Sequence, residues 1–375
     1  MKKIFFSIVA LAALAACTKS EVAYEQTDEI GFSVVAGNIT KSVVDGIVYP
    51  TTLNMYVFAE TTDNADAEAN YILNGAFTHR ATQVEGTDVW GGVTPYYWPN
   101  VKTLHFAGYS DAGNATGSYN CQTGVLSIAN YTPKKGAAAT AEGANDLMWF
   151  PSTELTRAAG YGKNDKYVPV YMYHTCAWIT FVVKGDAVTS GKYTVTNLTM
   201  TGIDQTADVT CSATCTNEDY TKIVPTIVWS NNTDKTVADD ATDEQKQAIE
   251  YVVPMSGNIA LDATGKDVET NAVHNPAANA GGNVVVIPQV PGKLNLTYSY
   301  KSTTNDTIEE TVEGLDLKLA IDPNSADPAN PTKGPAQWLP GKHYIYTITI
   351  KANEILIAPS VPVDWADENW NVTVE

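Results

Sequence analysis

Five cysteines, five histidines and 42 carboxylates give this chain of 375 residues its scope for chemistry. Cys211 and Cys215, taken with His174 and Cys176, are the nearest approach to a zinc set. Neither spacing is the usual C-x2-C, and no second pair follows. Gly108-Tyr109-Ser110-Asp111-Ala112-Gly113 has the outline of a nucleophile elbow, but its second glycine comes one residue late and no helical pattern follows. Between Gly185 and Gly191 lie five residues where a phosphate-binding loop needs four, and Tyr193 follows Lys192 where that loop needs Ser or Thr. The acidic stretches Asp63-Asn64-Ala65-Asp66 and Asp322 to Asp327 lack the spacing and central glycine of a calcium loop. Nothing selects a carboxylate pair for glycoside hydrolysis, because such pairs meet in space and not in sequence. His174 alternates with Met172 and Cys176 and has no partner base close in sequence, which favours a core histidine. These residues assign no catalytic group, no metal and no cofactor, and the expectation is a protein that is not an enzyme.

The cysteine with a clear chemical setting is Cys17. Lys2 and Lys3 precede an apolar run from Ile4 to Ala16, broken only by Ser7, which is the pattern of an export leader. The run is well short of the roughly 20 residues that span a bilayer as a helix. Its end, Leu14-Ala15-Ala16-Cys17, resembles the bacterial lipobox, in which the thiol is acylated and cleavage leaves cysteine as the new N-terminus. Each buried CH₂ of a lipid chain adds ~0.8 kcal/mol, so a multiply acylated Cys17 holds the body stably at a membrane. Residues 1–16 are therefore read as a lipoprotein signal peptide and 17–27 as a linker. The remaining Cys121, Cys176, Cys211 and Cys215 allow one or two disulfides in an oxidising compartment, with their connectivity open.

Behind these residues stands a chain with 44% hydrophobic and only 17% charged residues, enough to bury a sizeable core. The formal charge of −19 repels phosphate backbones and excludes nucleic acid as a partner class. Period-2 alternation recurs between turn residues and helical patterns are nearly missing, so the chain is read as all-β. Strands are expected at Ile30 to Val35, Leu53 to Ala59, Leu104 to Ser110, Val125 to Ala129, Val168 to Val183 (bent near Thr175), Tyr193 to Met200 and Ile223 to Trp229. Others are expected at Ile249 to Met255, Val284 to Val290, Leu294 to Tyr300, Leu315 to Ala320, His343 to Ile350 and Glu354 to Ala358. One short helix is compatible with Asp240 to Tyr251. The Gly, Pro and Asn-rich stretch Pro151 to Lys166 divides the strands into two blocks, giving tandem β-sandwiches at 28–160 and 161–375. Among the eight tryptophans, Trp98 with Tyr96 and Tyr97 is the best candidate for an exposed aromatic ligand platform.

A sequence resemblance now covers essentially the whole mature chain. Gln337-Trp338-Leu339-Pro340-Gly341-Lys342-His343-Tyr344, continuing to Ile350, then Glu354 to Ala358 and Val363-Asp364-Trp365, resembles the closing signature of the fimbrillin family, the type V pilins and their Mfa-like relatives. Ile30-Gly31-Phe32, Trp98-Pro99 ahead of Leu104 to Ser110, Asn145 to Trp149, and Val170 to Val182 with its central His174 are similar to the family in the same order. The resemblance implies two transthyretin-like β-sandwiches, export as a lipoprotein to the outer membrane and cell surface, and a role as a fimbrial (pilus) subunit or an accessory anchor or tip protein supporting cell adhesion. It also implies a protease cut that removes the first strand, leaving a groove that a strand of a neighbouring subunit fills. The first basic residue after Ile30 to Val35 is Lys41, followed by Ser42, where many relatives carry arginine. In the C-terminal segment Trp370 to Glu375, Val372 and Val374 alternate as a donor strand would. Implied partners are other fimbrial subunits, the membrane through its lipid anchor, and a host protein or glycan. The competing reading is a surface glycan-binding lipoprotein, which shares the anchor, the sandwiches and the aromatic-rich loops.

Overall fold

The computed structural model describes residues 30–34, 52–59, 71–81, 88–92, 96–98, 103–110, 116–120, 123–133, 147–156, 168–170, 172–215, 223–230, 250–275, 284–317, 337–360 and 363–364. Among the described residues there are 23 strands and no helix, so the molecule is all-β. The largest sheet has eight strands in the order β10 (Tyr173–His174), β8 (Met148–Thr156), β5 (Thr103–Ser110), β2 (Thr52–Ala59), β3 (Tyr71–Ala81), β4 (Asp88–Gly92), β1 (Phe32–Val34) and β9 (Val168–Val170). Its pairs are antiparallel except β1 with β9, which run parallel. The two end strands, β9 and β10, are separated in the chain by residues 171 and 172 alone, and a residue spans at most ~3.6 Å. The ends of the sheet therefore meet, and the sheet is rolled.

Alternation along the strands explains why it rolls. Met55, Phe106, Met148 and Phe150 face inward and close on Phe32, Trp90, Trp98, Leu104, Val168 and Met172. Their chain neighbours Tyr56, Ala107 and Trp149, together with Tyr109, face the other way. This outer face packs on a four-stranded sheet ordered β14 (Ile223–Ser230), β13 (Ala207–Cys215), β7 (Val125–Tyr131) and β6 (Gly117–Asn120), through Tyr119, Leu126, Ile128, Tyr131, Val209 and Cys211.

Two further sheets form a sandwich. One is ordered β17 (Lys266–Asp267), β11 (Ala177–Gly185), β21 (Lys342–Ile350) and β22 (Ile355–Pro359), with β18 (Val284–Val286) also on β11 and β23 (Val363–Asp364) on β21. The other is ordered β15 (Tyr251–Val252), β12 (Tyr193–Thr201), β19 (Lys293–Lys301) and β20 (Thr307–Asp316), with β16 (Ile259–Ala260) on β12. Between them Ile179, Phe181, Val183, Leu198, Leu294, Leu296, Tyr344, Tyr346, Ile348 and Trp338 are buried. Full burial of each such side chain stabilises by ~1.5–3 kcal/mol. Trp338 also donates its indole N–H to the Tyr346 hydroxyl at 3.0 Å, so its polar edge is satisfied in the core.

The run Val168 to Val183 is not one bent strand. It is divided into β9, β10 and β11, with β10 ending at His174 and β11 starting at Ala177 after a bend at Cys176, and these pair with β1, β8 and β21 respectively. Hydrogen bonding across residue 160 is extensive: β9 and β10 seam the rolled sheet, and β13 pairs with β7. A shared core holding Trp149, Cys176, Trp178, Val209 and Val285 joins the two parts. Strand β8 runs to Thr156, into a stretch expected as loop, and the expected strand from Leu315 is the end of β20. Of the expected helix, Tyr251 opens β15, and residues 240–249 lie outside the described residues.

The elbow-like Gly108 is a strand residue beside a register shift between β5 and β8. A Cβ there would run into the Asn54 carbonyl of β2 and stand 2.7 Å from Phe150 Cε1. A backbone carbonyl within a sheet cannot step aside, so Gly108→Ala is expected to cost about 1–3 kcal/mol in urea denaturation, with an unchanged m-value. A cost near zero would show that the β2–β5 pair is looser than this.

Candidate assembly groove

The first strand makes its functional case through where it sits. β1 is bonded on both sides, antiparallel to β4 with Phe32 opposite Trp90, and parallel to β9 with Phe32 opposite Val168. The Ile30 N–H donates to the Tyr96 carbonyl at 2.7 Å, and the Val168 N–H donates to the Gly31 carbonyl at 2.8 Å. Ile30 and Phe32 alternate around Gly31 and are 1% and 0% exposed, so both side chains point into the roll. The Phe32 ring meets Phe106 edge-on at 5.6 Å, and Trp98 lies 5.5 Å from the same Phe106. The apolar residues clustered with β1 are Trp90, Trp98, Leu104, Phe106, Met148, Phe150 and Val168. Such a slot recognises a strand by main-chain hydrogen bonds on two edges and by large apolar side chains at alternate positions.

The expected aromatic platform is corrected by this geometry. Trp98 is 5% exposed and belongs to the core around β1, and Tyr96 is half-buried against the same cluster. Tyr97 alone of the three is exposed, because the strand-like path of 96–98 alternates its side chains in and out. Cys17, Lys41, Ser42, Val372 and Val374 lie outside the described residues, as does Cys121. Cys176 and Cys211 are buried thiols outside any disulfide, and burial pushes the Cys211 thiol up, away from the reactive thiolate. The sequence missed β9 as the second wall of the slot, although Pro169 inside an apolar run is a signal for an edge strand.

Buried ionisable groups gather elsewhere, around β11. His343 is 2% exposed, stacks on Trp178 with centroids 3.6 Å apart, and shares a 2.9 Å hydrogen bond between Nε2 and Thr180 Oγ1. Burial, and to a lesser degree the neighbouring His274, push its pKa down to about 3. His274 Nδ1 lies 2.7 Å from Asp267 Oδ1. Burial raises the Asp267 carboxyl, and burial together with the charge of Asp267 raises Glu269 well above the ordinary range. On the far sandwich, Tyr298 and Tyr300 donate their hydroxyls to Glu310 at 2.6 and 2.8 Å, which holds that carboxyl below its usual value.

No curated protein sequence matches the chain. Among solved structures, a fimbrial protein from Bacteroides vulgatus is similar at 15% identity and a TM-score of 0.51, over 90% of this chain and 100% of that one. A protein from Bacteroides uniformis titled a cell adhesion protein is similar at 14% identity and a TM-score of 0.45, over 90% and 98%. The first of these likenesses shows the fold. Residues 1–18, which include Cys17, match the prokaryotic membrane lipoprotein lipid attachment site, so the mature chain is a lipid-anchored protein. Residues 50–365 match the fimbrillin-like family over most of the chain, and the protein is a member of that family.

Proposed function

We propose that the protein is a structural, non-catalytic subunit or accessory protein of a fimbrium, brought to the outer membrane as a lipoprotein acylated at Cys17 and joined to its neighbours by strand donation once a cut behind β1 has removed that anchor. The observation that carries this reading is the seat of β1: a three-residue strand near the start of the described chain, bonded on both edges, with Ile30 and Phe32 plugging an apolar core. A cut between Lys41 and Ser42 would release β1 and leave β4 and β9 as the walls of an open groove. A strand of another subunit would then refill it by bonding to both walls, and Val372 and Val374 give the C-terminal segment the alternation such a donor needs. In this reading residues 28–160 and 161–375 are two transthyretin-like halves sharing one core, and the adhesive ligand is a host protein or glycan.

The N-terminus of the protein extracted from outer membranes, read by mass spectrometry, tests this. We expect a terminus at Ser42 that disappears in Lys41→Ala. An acylated Cys17 as the sole terminus would overturn the polymerising role and leave a permanent anchor.

A further inference from the structure

Towards one end of the far sandwich the inner face of β19 comes out of the core. Leu294 and Leu296 on that face are fully buried, whereas Tyr298 and Tyr300, next along it, are only partly buried. Tyr193 of β12 stands directly opposite Tyr300, and Glu310 of β20 directly opposite Tyr298, so all four side chains share this face. The Tyr193 and Tyr300 rings stack with centroids 4.8 Å apart and planes 16° apart. The Tyr298 ring lies 5.6 Å from that of Tyr193 and 6.4 Å from that of Tyr300, turned by 30° and 26°. Together the three rings make a plate of nearly parallel faces.

Beside this plate sits an ionised carboxylate. Glu310 accepts the Tyr298 hydroxyl on Oε2 at 2.6 Å and the Tyr300 hydroxyl on Oε1 at 2.8 Å, and these two bonds hold its carboxyl below the usual range. A carboxylate offers about four lone-pair positions, so each oxygen keeps one open, and the tyrosines fix where it points. No cation of the described residues pairs with Glu310. The lysines at the two ends of β19 are engaged elsewhere: Lys293 lies 3.5 Å from Asp316, and Lys301 donates to the Thr307 hydroxyl at 2.6 Å. A brace between β19 and β20 accounts for the two hydroxyl bonds. It does not account for the charge, because a neutral acceptor braces as well.

We propose that Tyr193, Tyr298, Tyr300 and Glu310 form a binding site for an arginine side chain of a partner protein. The sign of the ligand follows from the site: the faces of the rings are electronegative and Glu310 carries a full negative charge, so the occupant is a cation. Its shape follows from the ring geometry. Rings within 30° of one another do not wrap around a rounded ammonium group. A planar guanidinium lies flat on such a plate and turns its fork of N–H donors to both oxygens of the carboxylate. Glu310 is exposed, so the site is an open face, which favours a side chain already held on a protein surface over a free small molecule with more freedom to lose. At a formal charge of −19 two copies of this chain repel, so the arginine belongs to a different, basic protein.

The test is frontal chromatography of the detergent-solubilised mature lipoprotein, at physiological salt, over beads carrying a capped peptide with one arginine. Companion beads carry the same peptide with lysine, which keeps the charge and loses the plane, or with citrulline, which keeps the plane and loses the charge. With β1 still in place the result is independent of strand donation. Wild type is expected to bind the arginine beads at least about threefold more tightly than either companion. Glu310→Gln leaves an acceptor for the tyrosines and removes the charge, and Tyr300→Leu removes one ring of the plate; each is expected to abolish the preference for arginine. Glu309→Gln removes an equal charge from the other face of β20, opposite Ser299, and is expected to keep the preference. Glu309 and Glu310 are both exposed, so their variants fold as wild type does. Equal retention of wild type on arginine and lysine, or a preference for arginine that survives Glu310→Gln, overturns the proposal.

Discussion

Phe32→Ala is expected to remove about 3–5 kcal/mol of stability. Phe32 is fully buried, its ring abuts Phe106 at 5.6 Å, and its strand is bonded on both edges. Truncation leaves a cavity walled by large rings, Trp90 and Trp98 among them, which cannot collapse without moving the seam at β9. The exposed Tyr97, truncated in the same region, should cost no more than about 0.5 kcal/mol. Urea denaturation of the two variants separates the cases. A Phe32→Ala loss no larger than that of Tyr97→Ala would mean that β1 is an ornament of the sheet, and the groove would lose its meaning with it. Were β1 released by the proposed cut, a strand that refilled its slot would recover a comparable free energy, enough to make a joint between subunits persistent.

Much of this was legible in alternation alone. Leu53 to Ala59, Leu104 to Ser110, Leu294 to Tyr300 and His343 to Ile350 became β2, β5, β19 and β21, because their apolar residues share one face and their polar ones the other. Strand β13, Ala-Asp-Val-Thr-Cys-Ser-Ala-Thr-Cys, was not legible. Its inner face is built from small residues such as Cys211 and Ala213, which carry little hydrophobic signal. Strand β20 was missed for the opposite reason: it is an exposed acidic edge whose pairing with β19 is written in backbone bonds. Val168 to Val183 read as one strand because apolar periodicity does not record which sheet a strand joins, and only the register separates β9, β10 and β11. The groove was half legible. Ile30 and Phe32 announced a strand, but its parallel partner lies some 136 residues along the chain, from Phe32 to Val168, and long-range pairing leaves no local mark. Tyr96 to Trp98 misled for a related reason, since a tryptophan's type does not say which face of an extended segment is wet.

Acid should loosen the shared core through His343, an effect readable as stability against pH. In the unfolded chain a histidine binds its proton below about 6.5, whereas in the folded protein burial keeps His343 neutral down to about 3. Between these values the unfolded state holds more protons, so stability falls as pH falls through the window and levels off below it. The full width corresponds to roughly 4–5 kcal/mol, an order-of-magnitude ceiling for one group. Asp267 and Glu269 act in the opposite sense. Their folded values are raised, so the folded state takes up protons first and their contribution is lost as pH rises through the carboxylate range. The wild-type profile alone therefore mixes the two. His343→Phe keeps a flat ring against Trp178 and removes the titrating nitrogen, so the difference between the two profiles isolates the histidine. At neutral pH the variant should be the less stable, because Thr180 loses the partner at 2.9 Å. Towards pH 4 the order should narrow or reverse as the wild type loses stability and the variant does not. Parallel profiles from pH 7 to pH 3 would show that His343 takes up its proton in place, and the junction around Trp178 would then be wetter than its 3% exposure indicates.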